Sequence, residues 1–341
     1  MSAWRWIFFP FGLVYWVIAF VRNACYDASI FSSHDIEGTT ICIGNLNVGG
    51  SGKSPLTLYL MKVFQATHTI QVVSRGYGRK TRGHIQLNGS HGAADVGDEP
   101  LMYFKQKKPL DEIHVAEHRL DAIRHLKRDS KHLLLLDDAF QHRKVRAGFS
   151  LLVSDFNAPF FSDFILPIGN LREPRMGARR ADLVLFTKCP DAINDAARTH
   201  YIQQATKHGL KAFFSRITYA PLKAVNGFTR TEATHVLLVT GIANPLPLKN
   251  HLEKSFEVHH LQFSDHHEFT REEINKIHKK FDTFDAAKTI IITTEKDFMR
   301  LYSPEFHPTL SAYPWFIQPI ELTIEHESEF LTLIQAYVRK N

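Results

Sequence analysis

At 341 residues, of which 44% are hydrophobic and 22% charged, the chain is long and apolar enough for a packed core, which argues against disorder and fits two domains or one large α/β domain. The formal net charge of +6 is compatible with anionic partners such as phospholipid headgroups, phosphorylated substrates or nucleic acid, and equally with a basic surface that has no function. The three cysteines, Cys25, Cys42 and Cys189, lack CxxC spacing, which argues against a zinc site or a disulfide framework.

The N-terminal segment contains an uncharged, aromatic-rich run at residues 6–21. As a helix, this run would extend roughly 24 Å, short of the roughly 30 Å hydrocarbon core of a bilayer. Pro10 and Gly12 would weaken its first turns, and no small-residue cleavage site follows it, which argues against a cleaved signal peptide. Three interpretations stay open: a monotopic anchor in the membrane interface, which aromatic rings such as Trp4 and Trp16 favour, a marginal transmembrane helix, or an apolar helix docked on its own domain.

The rest of the chain alternates between short apolar runs and amphipathic stretches. Strands are predicted at residues 39–43, 70–73, 113–115, 133–136, 151–153, 183–186, 236–239 and 289–292, and helices at about 53–66, 117–127, 271–280 and 327–338. Apolar strands separated by amphipathic helices predict an α/β fold, with a mostly parallel sheet flanked by helices. Loop-forming residues between 215 and 232 mark the predicted start of a second, smaller lobe.

A glycine-rich sequence, GNLNVGGSGKS at residues 44–54, directly follows a predicted strand and opens a helix. Its glycines allow backbone N–H groups to converge on phosphate oxygens, and the helix N-terminus adds a favourable dipole. Lys53 would reach the β- and γ-phosphates of a nucleotide, and the Ser54 hydroxyl would ligate magnesium. Asn47 stands where the G-x-x-x-x-G-K-[ST] pattern has its first glycine, but the strand–turn–helix context still predicts a P-loop.

Two acidic pairs are candidates for metal binding and proton transfer. Asp137 and Asp138 end an apolar strand, as the carboxylates that hold the metal of a P-loop enzyme do. Asp98 and Glu99 follow a glycine at the start of a predicted helix. A kinase needs a carboxylate near the γ-phosphate to orient and deprotonate its substrate hydroxyl, although capping of the helix explains this second pair equally well.

Further polar clusters follow other predicted strands. They are Arg75 with Tyr77, residues 141–143, residues 170–174, Arg179 with Arg180, and residues 265–267. Arginines in such loops suit phosphate recognition, and Asp265-His266-His267 suits a general base with its orienting partner. Taken one at a time, these residues fit solvated or structural roles as well.

The motifs occur together in a pattern that resembles the tetraacyldisaccharide 4'-kinases, the lipid A 4'-kinases of Gram-negative bacteria. The matching stretches are GNLNVGGSGKSP (44–55), SRGYGR (74–79), VGDEP (96–100), LDDAFQHR (136–143), GNLREP (169–174), FTKCP (186–190), GIANP (241–245), FSDHHEF (263–269) and TTEKD (293–297). They run in order over nearly the whole chain, so the resemblance is far more specific than a P-loop alone.

The resemblance implies transfer of the γ-phosphate of ATP, with Mg²⁺, to the 4'-hydroxyl of a membrane-embedded, acylated glucosamine disaccharide 1-phosphate. It implies an N-terminal membrane-associated helix (1–35), a P-loop kinase domain (36–220) and a smaller C-terminal α/β lobe (221–341). The partners would be the lipid substrate and the cytoplasmic leaflet of the bacterial inner membrane, to which the N-terminus would attach the protein, and no nucleic acid.

The resemblance also implies a role for individual residues. Asp98 would be the catalytic base, assisted by His266, while Lys53 would act on the transferred phosphate. Nucleotide contacts fall to Asn47, Gly49, Gly50, Ser51, Gly52, Lys53 and Ser54, metal contacts to Ser54, Glu99, Asp137 and Asp138, and lipid-substrate contacts to Arg75, Tyr77, His142, Asn170, Arg172 and Glu173. Ala139 replaces the glycine common after the aspartate pair.

Two other functions compete with this hypothesis. A P-loop GTPase or ATPase of the metallochaperone or partitioning type shares the Gly-Gly-x-Gly-Lys pattern, and residues 187–191 are faintly similar to a guanine-reading motif. Such a protein hydrolyses nucleotide without a lipid acceptor, and a metallochaperone usually has clustered Cys or His ligands, which this sequence lacks. A membrane-bound nucleotide sensor or scaffold would leave Asp98 and Glu99 without a role. The kinase is therefore the favoured prediction.

Overall fold

The computed structural model describes residues 3–228, 232–303 and 305–340, with side chains from Arg5 onwards. The side chain of Trp4 and residues 229–231 of the predicted lobe boundary lie outside this part. The strands are β1 (His34–Asp35), β2 (Thr40–Gly44), β3 (Thr69–Ser74), β4 (Ile85–Gln86), β5 (Glu112–Val115), β6 (His132–Asp137), β7 (Val145–Arg146), β8 (Phe149–Asp155), β9 (Leu183–Thr187), β10 (Lys211–Tyr219), β11 (Lys223–Ala224), β12 (His235–Thr240), β13 (Glu257–Gln262), β14 (Thr289–Thr294), β15 (Trp315–Gln318) and β16 (Ile320–Ile324). The α-helices are α1 (Phe9–Asp27), α2 (Lys53–Phe64), α3 (Ala93–Val96), α4 (Asp98–Gln106), α5 (Arg119–Ile123), α6 (Asp195–Thr206), α7 (Leu246–Leu252), α8 (Arg271–Phe281), α9 (Glu295–Leu301), α10 (His307–Ser311) and α11 (Glu327–Val338).

The first lobe is built on a nine-stranded sheet in the order β16-β10-β9-β8-β2-β6-β3-β5-β4. Its inner strands are parallel, and the edge strands β16 and β4 run antiparallel to their neighbours. The central strands are almost fully buried, because helices cover both faces of a parallel sheet. Strand β2 lies between β6 and β8, where the connections leave in opposite directions, and this is where α/β sheets bind ligands.

The second lobe is built on a five-stranded sheet in the order β11-β15-β14-β12-β13, in which all strands except β11 are parallel. Its buried strands are continuous apolar runs, such as the one from Ile290 to Ile292. Helix α9 of this lobe packs against α4 of the first. The predicted mostly parallel α/β architecture with a smaller second lobe is confirmed.

The last elements of the chain lie beside the first lobe. Strand β16 pairs antiparallel with β10, and the Tyr337 hydroxyl of α11 accepts a hydrogen bond from the Thr40 backbone N–H at 3.0 Å. The division of the chain at residue 220 stays a prediction. The topology adds that residues 320–338 return to the first lobe.

The N-terminal helix extends beyond the uncharged run of residues 6–21 on both sides. A 3-10 helix (Ala3–Phe8) leads into α1, and Pro10 lies in the first turn of α1, where its missing N–H costs no hydrogen bond. Pro10 and Gly12 are thus accommodated in α1, and the prediction that they weaken its first turns stays a prediction. The stretch from Arg5 to Asp27 has 23 residues and is long and apolar enough, by length and composition, to cross a membrane.

Helix α1 docks on the first lobe along one narrow face. A Cβ atom at Gly12 would lie 2.5 Å from the Cδ1 atom of Ile168, so glycine allows the helix to approach this residue closely. Most of the large apolar side chains of α1, including Phe11 and Ile18, are exposed. Whether this surface lies in a membrane interface or spans a bilayer stays a prediction.

The boundaries of the predicted strands agree with the structure to within one or two residues. The helix predicted at residues 117–127 is shorter, since α5 covers only Arg119–Ile123. The helix predicted at residues 327–338 is α11.

Candidate active site

The carboxyl ends of the parallel strands of the two lobes meet across one cleft of about 2280 Å³. From the first lobe, the glycine-rich loop after β2 and the acidic residues Asp137 and Asp138 line it. The second lobe contributes Asp265 and His266 after β13, and Lys296 in α9. Because ligands of α/β proteins bind at this edge of the sheet, the cleft is the candidate active site.

The glycine-rich loop, residues 44–54, wraps the N-terminus of α2. Gly49 and Gly52 adopt φ angles of +102° and +89°, a region that favours glycine. The Thr187 hydroxyl donates to the Ser51 carbonyl at 2.6 Å, and a Cβ atom on Gly52 would lie 3.2 Å from that hydroxyl. The loop is therefore held against β9, with a helix N-terminus available to an anion.

Lys53, the first residue of α2, joins this loop to the end of β6. Its ammonium group donates to Asn45 Oδ1 at 3.1 Å and lies 3.6 Å from the Asp138 carboxylate. Ser54 and Gly50 line the same cleft. The ammonium group thus lies between the glycine-rich loop and the acidic pair, where a nucleotide phosphate would meet it.

Asn47, which replaces the expected glycine, holds the loop in place. Its side-chain amide donates to Asp163 Oδ2 at 2.8 Å, and its carbonyl accepts from Asn45 Nδ2 at 2.6 Å. Asn47 also forms a β-bridge with Leu171. The first half of the loop therefore pairs with a neighbouring segment, residues 163–173.

The two aspartates after β6 differ sharply in their surroundings. Asp137 is buried, Ser74 donates to its Oδ2 at 3.1 Å, and its buried Oδ1 has no donor within the described part of the chain. Burial and the adjacent Asp138 charge raise the pKa of Asp137 to about 6. For Asp138, burial raises the pKa, but the charges of Lys53 and Arg172 outweigh it and hold the pKa below its usual value.

This acidic region suits a hard cation. The buried Oδ1 of Asp137 accepts no hydrogen bond from the described residues. The charges of Asp138 and Glu99 disfavour the ionised Asp137 carboxylate, and the charge of Lys53 opposes them only in part. Across residues 3–228, 232–303 and 305–340, no group of three His, Cys, Asp or Glu side chains could hold a metal by itself. The residues therefore fit a metal that takes the rest of its ligands from phosphates and water, as Mg²⁺ does.

Asp98 and His266, predicted as base and partner, come together although 168 residues separate them. His266 Nδ1 donates to Asp98 Oδ2 at 3.0 Å, and Lys296 Nζ lies 3.4 Å from His266 Nε2. His266 lines the cleft, while Asp98 is only 7% exposed. Burial raises the pKa of Asp98, but hydrogen bonds from His266 and Arg300 outweigh it and hold the pKa below its usual value.

Glu99, the predicted metal ligand next to Asp98, forms an ion pair across the lobes. Its Oε1 lies 2.8 Å from Lys296 Nζ, and both side chains line the cleft. Two adjacent acids of the first lobe, Asp98 and Glu99, are thus matched by two cations of α9, Arg300 and Lys296.

The residues predicted to bind the lipid substrate lie in two groups. Arg75 and Tyr77 are exposed at the mouth of the cleft, with the Tyr77 ring 5.4 Å from that of His266. His142 also lines the cleft. Burial and the nearby charge of Arg119 lower the pKa of His142 to about 4.

The second group, Asn170, Arg172 and Glu173, forms the wall between the glycine-rich loop and α1. The Asn170 carbonyl accepts from the Val48 backbone N–H at 2.7 Å, and Arg172 Nη1 donates to Asp138 Oδ1 at 3.0 Å. Glu173 is only 3% exposed and accepts four hydrogen bonds, two from Arg180, one from Gln141 and one from Asn23. Its carboxylate thus anchors α1 to the cleft wall.

Sequence reasoning missed several residues that build this site. Arg119 is buried and donates to the carbonyls of Asp137 and Asp138, which fixes the left-handed turn at Asp138 (φ 46°). Lys188 contacts the Gly50 carbonyl, and its place in the FTKCP stretch (186–190) could have indicated this. Arg300 lies just outside the TTEKD stretch (293–297), so its role could not be predicted from that motif.

Comparison with known proteins then defines the family. The Tetraacyldisaccharide-1-P 4'-kinase family matches residues 4–339. The chain belongs to this family. The tetraacyldisaccharide 4'-kinase of Flavobacterium psychrophilum is 37% identical over 352 residues, which cover 100% of this chain and 99% of that protein. The tetraacyldisaccharide 4'-kinase of Bacteroides thetaiotaomicron is 35% identical, over 99% of this chain and 94% of that protein.

The fold of the 4'-kinase family is also seen in a solved structure. A crystal structure of LpxK from Aquifex aeolicus, in complex with ATP, matches with a TM-score of 0.75 at 24% identity, over 98% of this chain and 99% of that one. The predicted family and fold class are confirmed, and the predicted 4'-kinase function is confirmed through the family. The comparisons do not favour the GTPase or ATPase alternative. The roles of individual site residues stay predictions.

Proposed function

We propose that this 4'-kinase family member transfers the γ-phosphate of ATP, in the presence of Mg²⁺, to the 4'-hydroxyl of an acylated glucosamine disaccharide 1-phosphate, giving the bis-phosphorylated lipid A precursor. One observation carries the detailed proposal. The glycine-rich loop with Lys53 lines the same cleft as His266, and Asp98 is hydrogen-bonded to His266.

The first lobe would bind the nucleotide. Lys53 would exchange its contacts with Asn45 and Asp138 for phosphate oxygens, and the N-terminus of α2 would add the dipole of a helix. Magnesium, when bound, neutralises charge on the transferred phosphate, and the residues that would hold it are Ser54, Glu99, Asp137 and Asp138. Glu99 would then share its carboxylate between the metal and Lys296.

The Asp98–His266 pair would take the proton of the acceptor hydroxyl. As the 4'-oxygen forms its bond to the γ-phosphorus, the bond from that phosphorus to the β–γ bridging oxygen breaks and ADP leaves. Asp98 is the proposed base, and the low pKa that His266 and Arg300 impose keeps it ionised at neutral pH. His266, in the cleft wall, orients the carboxylate.

The remaining predicted residues would receive the lipid. Arg75, Tyr77, His142, Asn170 and Arg172 lie on the walls of the cleft or adjoin it, while Glu173 supports α1. The exposed apolar surface of α1 would hold the protein at the cytoplasmic face of the inner membrane, where ATP and an insoluble disaccharide meet. The proposed partners are thus the lipid and its leaflet, without nucleic acid.

The decisive experiment measures phosphate transfer from γ-labelled ATP to a tetraacyl disaccharide 1-phosphate in mixed micelles, with and without Mg²⁺. We expect labelled lipid only when magnesium is present. Labelled inorganic phosphate released at the same rate without lipid would instead indicate a hydrolase, and the acceptor roles would be abandoned.

The base is tested in the same assay with Asp98→Asn. We expect a rate loss within the ~10²–10⁴-fold range of general base catalysis and nearly unchanged ATP binding. Asp121→Asn, at an exposed aspartate of the same lobe, is the matched control. If Asp98→Asn kept more than about a tenth of the rate, Asp98 would not be the base.

A further inference from the structure

Arg300 is a buried arginine at the boundary of the two lobes, where its side chain is only 4% exposed. Its Nε and Nη2 atoms both donate to Asp98 Oδ2, at 2.9 and 2.6 Å. Its Nη1 donates to Asp297 Oδ1 at 3.0 Å and to the Gly241 carbonyl at 3.1 Å. One guanidinium group therefore joins a carboxylate of the first lobe to two acceptors of the second.

The second lobe holds Arg300 independently of Asp98. Asp297 is fully buried at the start of α9, where its Oδ2 accepts from Thr294 Oγ1 at 2.8 Å and its backbone N–H donates to the same hydroxyl at 3.0 Å. Because Asp297 is fixed by this cap, it fixes the plane of the Arg300 guanidinium. Arg300 thus presents two parallel N–H groups in a set direction.

Asp98 is fixed from both lobes in different ways. Its backbone follows Gly97, which has a φ of +92°. A Cβ atom on Gly97 would lie 2.9 Å from the Tyr77 carbonyl oxygen, so glycine allows this close approach at the start of α4. The direction of its carboxylate is set by Arg300 and His266, which both belong to the second lobe. All three donor atoms contact Oδ2, and within the described residues Oδ1 has no donor.

We propose that Arg300 is the positioning residue of the catalytic base: from the second lobe it holds Oδ2 of Asp98 and leaves Oδ1 to accept the proton. This inference rests on the proposed function. It follows that the base is in place only when the second lobe is seated on the first, and that Arg300 acts through Asp98 rather than on a substrate.

The test is a double-mutant cycle of Arg300→Gln and Asp98→Asn, with kcat for lipid phosphorylation and KM for ATP as readouts. A misplaced catalytic group costs roughly 10²-fold, so we expect Arg300→Gln to lower kcat by about that factor while KM for ATP changes little. In the Asp98→Asn background, Arg300→Gln should have almost no further effect, because the group on which it acts is gone. Arg300→Lys should have a higher kcat than Arg300→Gln, because it keeps a positive charge beside Asp98. The recovery should be incomplete, because one ammonium group cannot bind Asp98 and Asp297 together as the guanidinium group does.

The matched control is Lys80→Gln, which removes an exposed ion pair between the lobes, Lys80 to Glu268 at 2.7 Å, without touching Asp98. We expect it to leave kcat within about twofold, as is usual for an exposed ion pair. If Arg300→Gln reduces the yield of folded protein, Arg300→Lys combined with Asp98→Asn gives the same cycle.

Losses that multiply in the double variant would overturn the inference, because Arg300 would then act independently of Asp98. An unchanged kcat in Arg300→Gln, or an equal loss in Lys80→Gln, would overturn it as well. If the unaltered protein does not phosphorylate lipid, the proposed function fails and this inference fails with it. If the unaltered protein is active and one of the outcomes above is found, only this inference fails.

Discussion

His278 is a buried histidine that should make the second lobe sensitive to acid. It is 4% exposed, it accepts a hydrogen bond from the Trp315 indole N–H on its Nε2 at 2.9 Å, and its ring stacks on Tyr313 with 3.7 Å between centroids. Burial lowers the pKa of His278 to about 4, against a smaller opposing effect of Asp282. The folded lobe therefore holds this imidazole neutral, with Nε2 as an acceptor.

The size of the effect follows from the two pKa values. In the unfolded chain a histidine titrates near pH 6.5, so the folded-state pKa is the lower of the two. The stability that neutral His278 contributes is complete above pH 6.5 and is lost as the pH falls toward 4. Between pH 7 and pH 5, linkage gives a loss of about 2 kcal/mol in the free energy of unfolding from this residue alone.

Urea unfolding followed by Trp315 fluorescence measures this loss, in a chain whose other three tryptophans, all within the first 16 residues, are replaced by phenylalanine. His278→Gln keeps an acceptor for the indole but does not titrate, so it should lose about 2 kcal/mol less than the unaltered lobe between pH 7 and pH 5. His235→Gln, at a histidine of the same lobe with 31% of its side chain exposed, is the control. Equal losses in the His278 variant and its parent would refute the reasoning.

Three further outcomes are expected. Lys53→Ala should slow phosphate transfer by roughly 10²-fold or more, because it removes a preorganised cation from the transferred phosphate, and a rate near that of the parent would exclude this role. Gly44→Ala should lower the free energy of unfolding by about 1–3 kcal/mol, since its Cβ would lie 2.5 Å from Phe140 Cβ; an unchanged urea midpoint would contradict this. Phe11→Glu, at a side chain 66% exposed on α1, should weaken vesicle binding by roughly 30-fold through the loss of about 2 kcal/mol of apolar burial, and equal sedimentation with vesicles would argue against membrane contact through this face.

Local patterns in the sequence were enough to predict most of the first lobe. The strand before Gly44, the loop and the helix from Lys53 read directly from an apolar run, glycines and helical spacing, and each is governed by residues within a few positions of it. The acidic ends of strands were equally visible. Because parallel strands end at one edge, Asp137 and the P-loop could be placed together without tertiary information.

The parts that could not be predicted depend on contacts between distant segments. Arg300 lies three residues after the TTEKD stretch (293–297), but that stretch does not identify Arg300 as an ion-pair residue. Its partner Asp98 is 202 residues away in the sequence. The return of β16 to the first sheet is likewise invisible locally, since a five-residue strand carries no information about which edge it joins. Asp98 and His266 were predicted as a pair only through the family resemblance, which rests on the stretches VGDEP (96–100) and FSDHHEF (263–269). The residues around each of them do not show that the two side chains meet.

The position of α1 suggests that it does more than carry an apolar surface. The Tyr15 hydroxyl donates to the Arg172 carbonyl at 2.8 Å, and Asn23 Nδ2 donates to Glu173 Oε2 at 2.7 Å, so the helix supports the wall that also contacts Asp138. The double variant Tyr15→Phe with Asn23→Leu keeps the apolar face and removes both bonds. We expect it to bind vesicles like its parent but to phosphorylate lipid more slowly, because Arg172 would hold Asp138 less firmly. Equal rates would show that α1 serves attachment alone, while weaker vesicle binding would show that these polar contacts set the direction of the helix itself.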